Sequence, residues 1–427
     1  MPYQVNVFQN WVSSYKSWDE LKGWLTSEAG GLLNVMEPSN SKYALVRYVR
    51  NVSKMDGAPH VRWCRSVIVD KESRVPVSVS PPKSSELNEA SATSAVVAEE
   101  FVEGTMMSIF HSAVDEAVSV ATRGRIGADK SFYETSPTFR SMLDDAMKSQ
   151  SVGFDDVLPS SGLHRFATVV LQHPQNRLVK NVVSPCVYVV QQGWVEADGT
   201  VHIEEDSSLF KKELVVPTYS LESVRGAKSV KEWVSTQTQG RDFGWQGIVL
   251  KDRQGNRWRE RSESYETVRR LRGNDSTSKE CYTRLRKTKS VEQYLALYPA
   301  EKTSFYDLEG MLRMNTRNLY RFYVDTFGTR KVLFHELPWP YKHHVSVLHN
   351  YFKDVLRKDK KRVELDTVIR YVNSLNFLDT VNMLKEHKLE IVKKAVGEPA
   401  IDASPTNSDV PPSYIVTTPS VKAVEAC

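Results

Sequence analysis

Glu99-Glu100-Phe101-Val102-Glu103-Gly104-Thr105 is the stretch on which the reading of this 427-residue chain turns. It opens an apolar run, Met106 to Phe110, that predicts a strand, and Ala121-Thr122-Arg123-Gly124 follows shortly after. Strand signals surround it on both sides. Tyr43 to Val49 alternates, Val67-Ile68-Val69 is apolar, and Phe166 to Leu171 and Val187 to Trp194 are further strands. Asp198-Gly199 has the composition of a hairpin turn. Gly244 to Leu250 and Arg257 to Arg261 flank a second turn at Gln254-Gly255-Asn256. Residues 76–98 carry Val, Pro and Ser, with Pro81-Pro82-Lys83, and then a small polar and alanine-rich link. Residues 127–160 read as helical, with Phe139, Met142, Leu143 and Met147 at helical spacing.

At the N-terminus, Ser17-Trp18-Asp19-Glu20 matches a capping box ahead of Leu21, Trp24 and Leu25. Beyond about residue 265 the period changes. Leu308, Met311, Leu312, Leu319, Phe322 and Tyr323 mark one helix, expected to break near Asn315. Three more follow around Val345–Leu356, Val368–Leu375 and Leu378–Leu389. From Gly397 onward Pro, Ser, Thr and Val dominate without periodicity, a composition that predicts disorder.

Composition sets bounds on function. Hydrophobic residues make up 40% of the chain, an ordinary value for a globular protein. The net charge of +5 is too small to indicate nucleic-acid binding unless it is concentrated. It is concentrated between Lys251 and Lys289, where thirteen Lys and Arg face six Asp and Glu. The cysteines Cys64, Cys186, Cys281 and Cys427 are far apart and suit a reducing compartment rather than a Cys-x-x-Cys metal or redox site. The first residues lack the basic-then-apolar pattern of a secretory signal, and no apolar run approaches the length of a membrane span.

Taken in order, these segments resemble the nucleotidyltransferase core of the RNA ligase and mRNA-capping-enzyme superfamily. Cys64-Arg65-Ser66-Val67-Ile68-Val69-Asp70 resembles the strand preceding the nucleotide-binding lysine, and Pro82-Lys83 resembles a Pro-Lys pair before it. Glu100 to Gly104 stands where Glu-Lys-x-Asp-Gly is expected, and Thr122-Arg123-Gly124 follows it. Leu171 and Pro174-x-Asn176-Arg177-Leu178-Val179, then Gln246-Gly247-Ile248-Val249, then Arg259-Glu260-Arg261-Ser262 match later motifs. Glu-Phe-Val-Glu-Gly-Thr-Met, Val-Leu-Gln-His-Pro-Gln-Asn-Arg and the helical end, with Tyr294-Leu295-x-x-Tyr298-Pro299 and His343-His344, are similar to ligase-like proteins of large nucleocytoplasmic DNA viruses.

The resemblance implies an α+β architecture. A nucleotidyltransferase-like domain of antiparallel sheets (41–272) follows an N-terminal helical segment (1–40) and precedes an all-α domain (273–395) and a flexible tail (396–427). It also implies that the reaction is lost. An active ligase forms a lysyl–nucleotide bond, which requires an amine with a free lone pair. Phe101 stands at that position and has none. Val170 and Gln246 replace carboxylates, Glu103 replaces an aspartate, and Arg259 and Arg261 replace a lysine pair while keeping its charge. The backbone residues Gly104, Gly124, Pro174 and Gly247 remain. Glu100, Glu103, Arg123, Gln246, Arg259 and Arg261 are therefore the candidate nucleotide or phosphate contacts, with ATP and Mg²⁺ the implied cofactors if the cleft functions.

A rival register exists. Lys54-Met55-Asp56-Gly57 is a literal Lys-x-Asp-Gly, but its distance to Pro174 does not fit, and Asp56-Gly57 is an ordinary turn dipeptide. Arg269, Arg270, Arg272, Arg284, Arg286 and Lys287 are candidate nucleic-acid contacts, the alternative being a solvated helix face. Arg357 to Arg362 reads as an interhelical loop, and His343, His344 and His349 do not share a helix face as a metal site would require. Pro411-Pro412-Ser413-Tyr414 fits a ligand for aromatic-lined grooves. The expected function is a catalytically inactive RNA-ligase-like viral protein that binds RNA or another nucleic acid, or virion proteins, in the infected cytoplasm or the particle. The alternatives are an active ATP-dependent RNA ligase with another nucleophile and a purely structural virion protein.

Overall fold

A computed structural model describes residues 2–55, 57–115, 117–131, 137–205 and 207–385. The architecture is mixed α and β with mainly antiparallel sheets. The strands are β1 (Tyr3–Val5), β2 (Asn34–Met36), β3 (Tyr43–Arg47), β4 (Val67–Asp70), β5 (Pro76–Val79), β6 (Ser85–Glu86), β7 (Val97–Glu100) and β8 (Thr105–Ser112). They continue with β9 (Ser119–Thr122), β10 (Arg125–Ile126), β11 (His164–Gln172), β12 (Cys186–Val195), β13 (Val201–Glu204), β14 (Thr218–Tyr219), β15 (Gly247–Lys251) and β16 (Arg257–Arg261).

Three sheets result. Seven strands run β1-β13-β12-β11-β8-β9-β10, five run β14-β7-β15-β16-β6, and four run β2-β3-β4-β5. The pleat sorts the long strands of the first sheet onto two cores. Met107 and Ile109 of β8 and Ala167, Val169 and Leu171 of β11 pack with Met142, Leu143, Ala146 and Met147 of the helix Phe139–Ser149. Phe110 and Phe166 lie in the opposite core with Val67, Ile68, Val77 and Val79 of the four-stranded sheet and with Phe8, Trp11, Leu21 and Leu25 from the N-terminus. The five-stranded sheet buries Ala98, Ile248 and Leu250 beneath Val224, Val230 and Trp233.

Several local expectations change. Residues 76–98 hold three strands or parts of strands and a short helix, Glu89–Ser94, because Val77 and Val79 are needed to complete the four-stranded sheet. β6 pairs in parallel with β16, the one parallel pair among the named strands. Among the described residues of 127–160 the α-helix is confined to Phe139–Ser149, started by the Thr138 hydroxyl accepting from Ser141 N. Ser17 caps the helix Trp18–Thr26 as expected, although the Glu20 carboxylate accepts from Lys16 N rather than from the cap. The Asp198-Gly199 hairpin joins β12 to β13.

The chain divides into two compact units, Met1–Met311 and Leu312–Cys427. In the second, Asn315 does not break its helix, which runs from Lys302 to Tyr323. Its amide donates to Met383 O and accepts from the Tyr341 hydroxyl, so a residue that competes for backbone bonds in isolation is satisfied by tertiary ones. The helices Trp339–Tyr351, Leu365–Ser374 and Phe377–Met383 complete the described part of this unit. Among the described residues no helix is long and apolar enough to cross a membrane.

His60 adds a pH dependence to the first unit. Its ring lies 5.7 Å from that of Trp11 and 4.8 Å from that of Trp24, with a ring nitrogen 3.0 Å from Gly30 O. Burial pulls its pKa below the ordinary histidine value. Unfolding frees the ring to bind a proton, so its contribution is complete above about pH 6.5 and declines as pH falls below that value. The thermal midpoint is expected to be lower at pH 5.5 than at pH 7.5, and His60→Gln is expected to reduce that difference in a calorimetric titration.

Candidate functional site

The connection from β7 to β8 passes from the five-stranded to the seven-stranded sheet through Phe101–Gly104. Phe101 N donates to Gly247 O at 2.9 Å, and Gly104 lies against β11. Glycine is dictated at both ends of this crossing. A Cβ on Gly104 (φ +154°) would stand 2.3 Å from Leu171 O, and one on Gly247 (φ +123°) would stand 2.1 Å from Glu260 O. The two sheets thus diverge from a tight seam, and a cleft of about 210 Å³ opens beside it.

Arginine dominates the polar lining of this cleft. Arg65, Arg257, Arg261 and Arg269 line it together with Phe101, Gln246 and Tyr265. Arg257, Arg259 and Arg261 fall at strand period, so all three start from one face of β16. The Arg261 guanidinium lies 5.2 Å over the Phe101 ring, and its Nε is buried without a hydrogen-bond partner among the described residues. Arg259 is drawn aside: it donates to Ser84 O, with the exposed Glu86 at 3.9 Å. Burial brings the Arg65 pKa down to about 10, and the like charges of Arg123 and Arg257 act in the same direction. Lys83 is also lowered, by burial and then by Arg259, Arg50, Arg65 and Arg123. Positive charge therefore accumulates at this end of the unit.

The carboxylates of the cleft are already engaged. Glu103 is 6% exposed and accepts from Val179 N and Lys180 N, each at 3.0 Å. It ties down the loop that carries Pro174-Gln175-Asn176-Arg177. Glu100 accepts from the Tyr219 hydroxyl at 3.2 Å. Glu99 pairs with Lys251 at 2.7 Å, and Lys251 pairs in turn with Glu205 at 2.9 Å. Glu205 also holds Arg257 at 3.3 Å and accepts from the Tyr3 hydroxyl at 3.2 Å. This donor set suits phosphate oxygens. It does not suit a divalent ion held by the protein itself, because the carboxylates that would ligate it are spent on amides, a phenol and a lysine.

The other sequence candidates are distributed differently. Arg123 is exposed, with its guanidinium 5.0 Å over the Tyr48 ring, and is not part of the cleft lining. Lys54 pairs with Glu28 on an exposed turn, also outside that lining, and its neighbour Asp56 lies outside the described residues. The basic run splits up. Arg269 enters the cleft, whereas Arg270 and Lys287 are exposed. Arg272 is buried. Arg284 donates to Leu271 O, Arg272 O and Asp275, capping the helix Glu263–Arg272 with charge, and its guanidinium occupies the space a side chain at Gly273 would need. Arg286 faces Glu309 at 3.7 Å. Helix capping and packing thus account for much of a run that sequence counts as free charge. His344 lies 2.7 Å from the Tyr371 hydroxyl and His349 stacks on Phe327, while Pro411, Pro412 and Tyr414 lie outside the described residues.

Arg65, Arg257 and Tyr265 were not singled out as site residues from sequence. The signal for Arg257 was present in the Arg-x-Arg-x-Arg alternation. Burial, with Glu103 nearby, pushes the Tyr265 phenol up, so the cleft presents it as a neutral hydroxyl. No protein-family model and no curated protein matches the chain.

Proposed function

We propose that the chain is an RNA-ligase-like protein that has kept a phosphate-binding cleft and lost nucleotidyl transfer. The ligand is a nucleotide or the phosphorylated end of a nucleic acid, held without a covalent bond. One observation carries the reading: four arginines and Phe101 line the cleft, and among the described residues no lysine does. Guanidinium groups bind phosphate through paired donors, and the unpartnered Arg261 Nε supplies a buried donor for such a ligand. Lys251 of β15 is engaged by both Glu99 and Glu205, at 2.7 and 2.9 Å, and does not line the cleft. Any Mg²⁺ would arrive with the ligand's phosphates. The resemblance to viral ligase-like proteins supports an infected cell or a particle as the setting of this binding.

Incubation with α-labelled ATP or GTP and Mg²⁺, followed by denaturing electrophoresis, is expected to give no labelled band. Binding of a 5′-phosphorylated RNA should weaken about tenfold in Arg261→Ala and in Arg269→Ala, the loss of one charge-assisted contact each. The slope of log affinity against log salt should fall by about one per arginine removed. A covalent band abolished by Lys54→Ala would instead establish the active-ligase alternative. Unchanged affinity in both arginine variants would remove the cleft from the binding site.

A further inference from the structure

The second unit carries a groove that the cleft chemistry does not use. It has a volume of about 510 Å³ and is lined by Trp339, Pro340, Tyr341, Lys342, His343, His344, Asp379, Asn382, Met383 and Lys385. Trp339, at the start of the helix Trp339–Tyr351, is 85% exposed. Leu378, at 70%, neighbours the groove residue Asp379 in sequence. A tryptophan so exposed, next to a proline and two residues before the buried Tyr341, has the chemistry of an aromatic platform for an extended, proline-containing segment. The ionisable rim is mainly basic: Lys342, His343 and Lys385 against Asp379.

We infer that this groove receives the chain's own segment Asp409–Val416, Asp-Val-Pro-Pro-Ser-Tyr-Ile-Val. Three observations select this occupant over others. The described residues end at Lys385, which itself lines the groove, and 42 further residues follow it in the sequence. About 26 residues separate Lys385 from Pro411, and a random coil of that length has a root-mean-square span of roughly 28 Å, ample for return to the starting point. The charge is complementary: from Gly397 to Val421 the sequence contains Glu398, Asp402 and Asp409 and no Lys, Arg or His. Pro411-Pro412 favours the extended left-handed helix that aromatic grooves accept at small entropic cost, and Tyr414 supplies a ring for Trp339. Tethering raises the local concentration of the segment to the millimolar range, so a weak contact suffices to fill the groove.

The test uses the full-length chain with a photocrosslinker at position 414, Tyr414→p-benzoylphenylalanine. Irradiation at low protein concentration, followed by peptide mass spectrometry, is expected to give an intrachain link to residues 339–344 or 379–385 in the monomer. Trp339→Ala should reduce that link about tenfold, the effect of losing a central aromatic anchor. Lys342→Glu should weaken it, and Asp409→Lys in the same chain should restore it, which a merely structural role of Lys342 would not produce. A crosslinked dimer would assign the groove to a second copy and overturn the intrachain proposal. Links scattered over the first unit, or a yield unaffected by Trp339→Ala, would overturn it as well.

Discussion

Lys251→Ala is expected to lower the unfolding free energy by about 3–5 kcal/mol, the cost of leaving buried charge unpaired. Lys251 is the link between two carboxylates, with its side chain 3% exposed and Glu99 and Glu205 12% and 11% exposed. Burial raises the Glu205 pKa, and Lys251 and Arg257 together more than reverse that rise, so the group stays ionised below the ordinary carboxylate range. Alanine leaves Glu99 without its cation and leaves Glu205 with Arg257 and Tyr3 alone. The pH dependence has a definite sign. A depressed folded-state pKa contributes stability above the unfolded value of about 4.5, and that contribution disappears as pH falls through the folded value. Urea titrations at pH 7 and pH 4 should therefore show a large gap between the wild-type chain and the variant at neutral pH and a smaller one in acid. Equal gaps at the two pH values would mean that Lys251 acts through packing instead of charge.

Glu103→Ala is expected to cost about 3 kcal/mol, because it strands two backbone amides at roughly 1–3 kcal/mol each. Both carboxylate oxygens accept from Val179 N, and one accepts from Lys180 N. The Glu103 carbonyl also accepts from the Gln172 side chain, so the residue holds the seam and the Pro174 loop together. Glu103→Gln keeps the size and one acceptor, and about half of the loss should be recovered. Measured against ligand affinity, the pair of variants separates two roles. Anchoring predicts a stability loss that is larger for alanine than for glutamine. A direct ligand contact predicts that Glu103→Gln lowers affinity at unchanged stability.

Much of the β framework was legible in the sequence because strands buried on both faces, such as β8 and β11, read as nearly unbroken apolar runs, while β16 shows its alternation in Arg257, Arg259 and Arg261. β8, β11, β12 and β16 sit within a residue or two of the expected strands. β1, β6 and β14 were not seen, since two or three residues carry no measurable period and these strands exist only through their partners. The candidate site was half visible. Phe101, Gln246 and Arg261 came together in one cleft, as their order in the chain suggested. Glu103 and Arg284 illustrate what sequence hides. Residue type announces charge, but only tertiary structure shows whether that charge faces solvent, a ligand or a row of orphaned amides and carbonyls.

The edge strand β1 constrains the order of assembly. It pairs with β13, whose residues Val201 to Ile203 lie opposite Val5 to Tyr3, and the Tyr3 hydroxyl reaches Glu205 across a separation of 202 residues. At a synthesis rate of about 5–20 residues per second, the first strand leaves the ribosome roughly 10–40 s before its partner. During that interval Tyr3–Val5 has no sheet to join, and Phe8 and Trp11 lack most of the core that later covers them. The amino-terminal segment is thus translated long before the strand that locks it, and chaperones have that segment to protect in the interval.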